Sequence, residues 1–296
     1  MGIMIEPSKE LIRIWMDIYV PEKDLLFLRE EDLRNLERYL NRVLVIPKKE
    51  FFNHSSYTVI QLVNSFEYWN ISKEVQYIVV AESDWLSHQS KDIQKQISNI
   101  QLQINRGLIL PLSLCTDSFF FPEEYLVKDS EREYIVLQSK MWRRIPYETK
   151  ENLLKVYAKQ WDDWTCYELP EQTPLHLQKY ANTFPAQAGG NCLSATLFAL
   201  TKQEWIINEW VHPRTFFEGL KRANYFNAKI EDIQNGDVVV WVNEEGIIQH
   251  ASYHISQNLF FNKNGQTFFN PWIIIDWNEL ELKWKKYRYE IYRIEK

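Results

Sequence analysis

The sequence predicts an α+β protein, with two regions of different character. Three observations carry this. In the first half, short apolar runs (Val75–Ala81 and Leu108–Leu114) flank a helical stripe, so strands alternate with helices in an α/β or α+β module. In the second half, the glycine pair Gly189-Gly190 is followed by Asn191, Cys192 and a run of helix formers through Leu200. From Gly236 onward, strand-length apolar runs are separated by turn signals at Asn243–Gly246, Ser256–Asn258 and Asn264-Gly265, the pattern of an antiparallel sheet.

Taken in order, Leu11–Val20 is rich in Ile, Trp, Tyr and Val and reads as a strand. Leu33, Leu36, Leu40, Val43 and Leu44 give Leu28–Leu44 a helical spacing, although Val43–Ile46 could open a strand instead. Tyr57–Trp69 has no decisive period. Ser83 is the expected N-cap of a long helix, with Leu86, Ile93, Ile97, Ile100 and Ile104 on one stripe and Gly107 at its end. Glu151–Trp164 is a further helix. Prolines 170, 174 and 185 then mark loop, which places a boundary between residues 147 and 170 and divides the chain into 1–160 and 161–296. After the cysteine helix, Pro213 opens another, with Phe216, Phe217 and Leu220 inward. The expected strands are Asp237–Val242, Ile247–Ile255, Leu259–Lys263, Ile273–Trp277 and Lys286–Ile294.

Composition narrows the function. The chain has 296 residues, 34 basic against 40 acidic, and a net charge of −6, with no basic stripe of the kind nucleic-acid binders carry. Aromatics are plentiful, at 12 Trp, 16 Tyr and 16 Phe, enough for a substantial core. Three cysteines without a C-x-x-C pair fit a reducing compartment, and residues 1–20 lack the continuous apolar segment of a secretory signal, so the expected location is cytoplasmic. No stretch has the length of a transmembrane helix, no nucleotide fingerprint is present, and no cofactor or metal is called for.

The chemistry centres on Cys192. At a helix start, unpaired N–H groups and the helix dipole favour a thiolate, the nucleophile of cysteine hydrolases and acyltransferases. Such a thiol is expected to be more acidic than a free one. A base is needed, and His250 and His254 lie on one face of one strand together with Ser252. If Ser256–Asn258 is a three-residue turn, Ser252 opposes Asn262, which puts Asn262 on the face of His250, with Asn264 in reserve. A two-residue turn would instead point Asn262 away.

Gly236-Asp237-Val238-Val239-Val240-Trp241, then Gln249-His250-Ala251-Ser252-Tyr253, with Asn191-Cys192-Leu193-Ser194 upstream, resembles the papain-like cysteine peptidases of the NlpC type. The resemblance spans Pro185–Asn264, about a quarter of the chain. It implies a papain-like catalytic domain with Cys192 as nucleophile and His250 as general base. A third polar residue on the next strand would be Asn262, where that family often has histidine. Papain-like enzymes also place a glutamine shortly before the cysteine to bind the oxyanion, and here that is Gln187. The implied activity is cleavage of an amide bond in a peptide or similar substrate. An acyltransferase or thioesterase on the same frame, or an inactive binding module, are the alternatives. A zinc site built from one cysteine with His250 and His254 matches no known ligand spacing. The first half resembles no known family.

Overall fold

The computed structural model describes residues 2–59, 68, 70–115, 119–228 and 232–295. It is α+β, a mixture of helices and antiparallel sheets, in two compact units. One is Ile12–Tyr157. The other combines Met1–Leu11 with Ala158–Lys296.

The chain begins with β1 (Ile3–Met4) and α1 (Lys9–Tyr19). The strand expected over Leu11–Val20 is therefore a helix. Its buried residues Ile12, Trp15, Met16 and Tyr19 fall at helical spacing, and Ser8 Oγ accepts the Leu11 N–H at 3.2 Å. Aromatic and β-branched content suggested a strand, but the period of the buried face decides for the helix. Next come β2 (Asp24–Leu28), α2 (Glu30–Leu36), β3 (Leu44–Pro47), α3 (Lys48–Phe51) and β4 (Tyr77–Ala81). The helix expected over Leu28–Leu44 thus stops early, and its last residues turn into an edge strand. Residues 60–67 and 69 of the ambiguous Tyr57–Trp69 stretch lie outside the described residues.

β2, β4 and β3 form one antiparallel sheet in the order β2-β4-β3. The long helix is α4 (Lys91–Gln103), and Ser90 rather than Ser83 stands before it in extended conformation. Leu86 belongs to a separate short 3-10 turn, but it joins Ile93, Ile97 and Ile100 in a core with Leu26, Leu28 and Val79. A second antiparallel sheet, β5-β7-β6, comes from β5 (Ile109–Pro111), β6 (Leu126–Asp129) and β7 (Arg132–Val136). The unit closes with α5 (Ser139–Arg144) and α6 (Tyr147–Ala158). Both its sheets are antiparallel, so the module is α+β, not the α/β arrangement that helix–strand alternation also allowed.

In the other unit, β8 (Thr165–Cys166) pairs with β1, and α7 (Leu175–Gln178) follows. The cysteine helix is α8 (Cys192–Thr201), and α9 (Pro213–Arg222) comes next. β9 (Tyr225–Asn227), β10 (Val238–Val242), β11 (Ile248–Ser256), β12 (Leu259–Lys263), β13 (Trp272–Asp276), α10 (Trp277–Trp284) and β14 (Arg288–Ile294) complete the chain. The six strands β9 to β14 make one antiparallel sheet in the order β13-β12-β11-β10-β14-β9. The sequence reading missed β9 and α10. β9 is only three residues long, and α10 carries its apolar residues among many charges.

Both faces of this sheet are covered, which is why β10 reads Val-Val-Val-Trp-Val without alternation. Val238, Val240, Val242 and Ala251 pack with Leu193 and Leu197 of α8 and with Phe216 and Leu220 of α9. Val239, Trp241, Phe260, Ile273 and Ile275 face Cys166, Leu280, Trp277 and Trp284 on the other side. The Gly236-Asp237 pair has a structural task. Gly236 takes a φ of 92°, and Asp237 accepts two hydrogen bonds from Arg293 of β14, at 2.8 and 2.7 Å.

Two glycines set the approach to α8. Gly189 has φ 139° and donates its N–H to Gln266 O at 2.9 Å. Gly190 lies so close to the chain at Ile207 that any Cβ would overlap that carbonyl oxygen. Gly246 also has a positive φ, 76°, but its Cβ would meet open space. We expect Gly190→Ala to lower stability by about 2–3 kcal/mol in chemical denaturation, through overpacking. Gly246→Ala should cost less, and a reversed ranking would show that the α8 entry tolerates a side chain.

Candidate active site

Cys192 occupies the first turn of α8. Asn191 caps the helix: its Oδ1 accepts the Ser194 N–H at 2.9 Å, and Ser194 Oγ accepts the Asn191 N–H at 2.9 Å. Asn191 Nδ2 donates to Val211 O at 2.8 Å, tying the cap to the chain before α9. Leu193 through Ala199 are all buried, so the helix is fixed on every side; Cys192 is partly exposed as a residue, but its thiol is shut off from solvent.

The thiol lies against the N–H groups of Ala251, Leu193 and Cys192 itself. The Ala251 N–H is available for a definite reason. His254 N–H and C=O bond toward the β10 side, to Asp237 O and Gly236 N–H. Alternation then points the Ala251 N–H toward β12, where the ladder has already stopped at Tyr253↔Phe261. The sulfur therefore meets β11 at the peptide joining His250 to Ala251.

Side-chain parity places Ala251 toward α8 and sends His250, Ser252 and His254 to the opposite face. There the His250 ring stacks on Trp284 at 4.2 Å and 10°, with Trp241 at 5.5 Å. His250 Nε2 lies 2.7 Å from Asn262 Oδ1, and the Ser252 hydroxyl donates to the same oxygen at 2.6 Å. Among the described residues no hydrogen bond joins Cys192 to His250; they approach from the two sides of one peptide.

The register that brings Asn262 to His250 is the expected one, but the turn that leads into it is not. β11 runs to Ser256, which pairs with Leu259, so the turn has two residues, with Gln257 at φ 53°. A two-residue turn alone would point Asn262 away. An irregularity between His254 and Ser256 inserts one residue and restores the parity, giving His254↔Phe260 and Tyr253↔Phe261. His254 is separate from this cluster: its Nε2 lies 2.7 Å from Gln257 O. Gln187 is exposed in the loop before α8. Among the described residues no group of three His, Cys, Asp or Glu side chains is placed to hold a metal.

Asn264, the reserve candidate, joins the cluster, and with it three groups that sequence reading passed over, Asp162, Lys263 and Trp284. Asn264 Oδ1 accepts from Asn262 Nδ2 at 2.8 Å, and Asn264 Nδ2 donates to Asp162 Oδ1 at 2.8 Å. Lys263, fully buried, donates from Nζ to Thr267 O at 3.0 Å and Asn270 O at 2.6 Å. Trp284 is the lid on the imidazole. Lys263 was legible as a strand end and Asn264-Gly265 as a turn, but nothing local to Asp162 or Trp284 signals a partner so far away in sequence.

Burial dominates the electrostatics. It pushes the Cys192 thiol up to about 11, against the lowering pull of the Ala251, Leu193 and Cys192 N–H groups and of the Lys263 charge. The expectation of an acidic thiol therefore fails in this resting geometry. Burial likewise lowers His250 to about 3, opposed by the Asn262 hydrogen bond and reinforced by the Lys283 charge. Lys263 is lowered to about 7 by burial, with Asp162 and Cys192 acting the other way. At neutral pH both thiol and imidazole are uncharged.

No family model, curated protein or solved structure matches this chain.

These shifts fix a pH dependence of stability. Between pH 3 and 6.5 the unfolded chain binds a proton at His250 that the folded protein does not, so stability falls as pH falls through that window. Between pH 7 and 10.5 the same holds for Lys263, and stability rises with pH. Above pH 9 the raised thiols of Cys192 and Cys166 oppose that rise. In the acid window Asp24 of the other unit, raised to about 6, also opposes the His250 slope. The measurement is therefore a difference. Melting curves of His250→Gln should lose part of the pH 3–6.5 slope, and Lys263→Met part of the pH 7–9 slope. Slopes unchanged from the wild type would show that neither group is held uncharged.

Proposed function

We propose that the protein is a cysteine hydrolase cleaving an amide bond, built on a papain-like frame of the NlpC type. One observation carries the reading most. The thiol at the start of a capped, buried helix rests against the peptide of a histidine whose far nitrogen is bonded to an asparagine. In the proposal Cys192 is the nucleophile, His250 the base and Asn262 its orienter.

The uncharged resting pair suits a general-base route. For His250 to take the thiol proton as sulfur attacks the substrate carbonyl, the two groups, which at rest lie on opposite faces of β11, must be brought within hydrogen-bond reach when substrate binds. A C–S bond then forms while the carbonyl oxygen becomes an oxyanion. The Cys192 and Leu193 N–H groups, which lack helical acceptors, hold that oxyanion. The exposed amide of Gln187 is the second donor of the proposal. His250 then gives the proton to the leaving amine, and the C–N bond breaks. Water, deprotonated by the same imidazole, releases the acid and restores the thiol. Because the resting thiol is raised, substrate binding must bring the carbonyl and the proton transfer together.

A panel of peptidyl electrophiles directed at cysteine hydrolases tests this, with Cys115 and Cys166 as internal references. Cys192 should be labelled first near pH 7.5, and His250→Ala should slow that labelling by roughly 10²-fold or more, the scale of a lost general base. Plain iodoacetamide, which carries no peptide for the site to bind, should label Cys192 slowly until the pH approaches 11. Equal labelling of all three cysteines by the peptidyl panel, or no effect of His250→Ala, would overturn the reading.

A further inference from the structure

The polar string behind His250 has a direction, and its direction is set at its far end. A carboxylate only accepts hydrogen bonds. Asp162 Oδ1 therefore draws the Nδ2 end of Asn264, at 2.8 Å, which leaves Asn264 Oδ1 facing Asn262. That oxygen accepts from Asn262 Nδ2 at 2.8 Å, which turns Asn262 Oδ1 toward the imidazole. An acceptor 2.7 Å from Nε2 requires the proton to be on Nε2. The Ser252 hydroxyl agrees: it donates to Asn262 Oδ1 at 2.6 Å and so offers His250 Nε2, at 3.2 Å, only a lone pair. In a neutral ring the lone pair must then sit on Nδ1.

We propose that Asp162 is a positioning residue that sets the tautomer of His250 through Asn264 and Asn262, leaving Nδ1 as the basic nitrogen. The geometric claim stands on the hydrogen-bond string; its catalytic meaning rests on the hydrolase reading. Asp162 is placed for the task. Its side chain is 2% exposed, its other oxygen accepts from Asn270 Nδ2 at 3.1 Å, and Lys283 Nζ lies 3.6 Å from Oδ1. Asn270 is held in turn by Thr267, whose N–H and hydroxyl both donate to Asn270 Oδ1, at 3.2 and 2.6 Å. The whole turn after β12 is thus locked with its amides in one orientation. Were Asp162 replaced by a group that can also donate, the two asparagines could turn over together and present an N–H to the ring.

The test is the two-bond proton–nitrogen correlation spectrum of the histidine rings at pH 8, where the His250 ring is neutral, with His250→Gln identifying its signals. The wild type should show the Nε2–H tautomer. Asp162→Asn, nearly isosteric, should shift the ring toward a mixture with Nδ1–H, and Asn264→Ala, which cuts the string with Asp162 intact, should do the same. Lys283→Met removes the charge beside Asp162 but not its acceptor character, and should leave the tautomer unchanged. A wild-type Nδ1–H ring, a tautomer indifferent to both Asp162→Asn and Asn264→Ala, or one that moves equally in Lys283→Met would overturn the proposal. Labelling of Cys192 by the peptidyl electrophiles is the separate readout. It should fall at least about tenfold in Asp162→Asn, since a base in the wrong tautomer loses its proton-accepting nitrogen. A tautomer that shifts in a protein whose Cys192 never reacts with such probes would keep the string and discard the hydrolase.

Discussion

The site depends on where α8 begins. The capping box of Asn191 and Ser194 satisfies orphan donors at the helix start, and the Asn191 amide fastens that start to Val211. With Leu193 through Ala199 buried, the helix can neither slide nor roll without opening the core against β10 and β11. Cys192 is therefore delivered to one place, the Ala251 N–H. The glycines before it follow from the same constraint, because the chain must pass the Ile207 carbonyl too closely for a side chain.

How much of this was legible can be judged residue by residue. The cysteine helix and the strands from Val238 onward are local patterns, so their period and turn signals sufficed. α1 was misread because its composition favours strand while its buried spacing is helical. The hairpin between β11 and β12 is more instructive. Its turn has two residues, not three, and an irregularity beside Ile255 compensates, so Asn262 keeps its face. Sequence spacing cannot distinguish these two routes, since both leave the same parity. Asp162 and Trp284 were illegible for a different reason: each acts through folding across the whole unit, and neither sits in a pattern of its own.

The electrostatics invert a common expectation for helix-start cysteines. N–H groups and a helix dipole lower a thiol's proton affinity only if the site remains hydrated enough for the charge to survive. Here desolvation prevails over three N–H groups and a nearby lysine. The imidazole is subject to the same desolvation, under its tryptophan lid. A pair that is uncharged at rest does not carry the standing cost of a buried ion pair, which tight burial would make large. It also makes the direction of the imidazole matter more. In a thiolate–imidazolium pair both ring nitrogens are protonated, and the tautomer is moot. In a neutral pair only one nitrogen can accept.

That difference gives the buried amides behind the ring their physical meaning. An asparagine with apolar neighbours is indifferent to which end faces which way, but a string of amides between a carboxylate and an imidazole is not. Each member is satisfied only if all point alike, and a single reversed amide would set two donors or two acceptors face to face in a low-dielectric interior. Asn262 and Lys263 illustrate the division of labour across one strand. Neighbours in sequence, they point to opposite faces. Asn262 is hydrogen-bonded to the imidazole, while Lys263, held by the carbonyls of Thr267 and Asn270, adds positive charge that the thiol feels. The turn that follows β12 supports both, so the two sides of the sheet are referenced to one rigid piece of chain. A thiol and an imidazole that meet from opposite faces of a strand need such a common reference, because neither packs against the other directly.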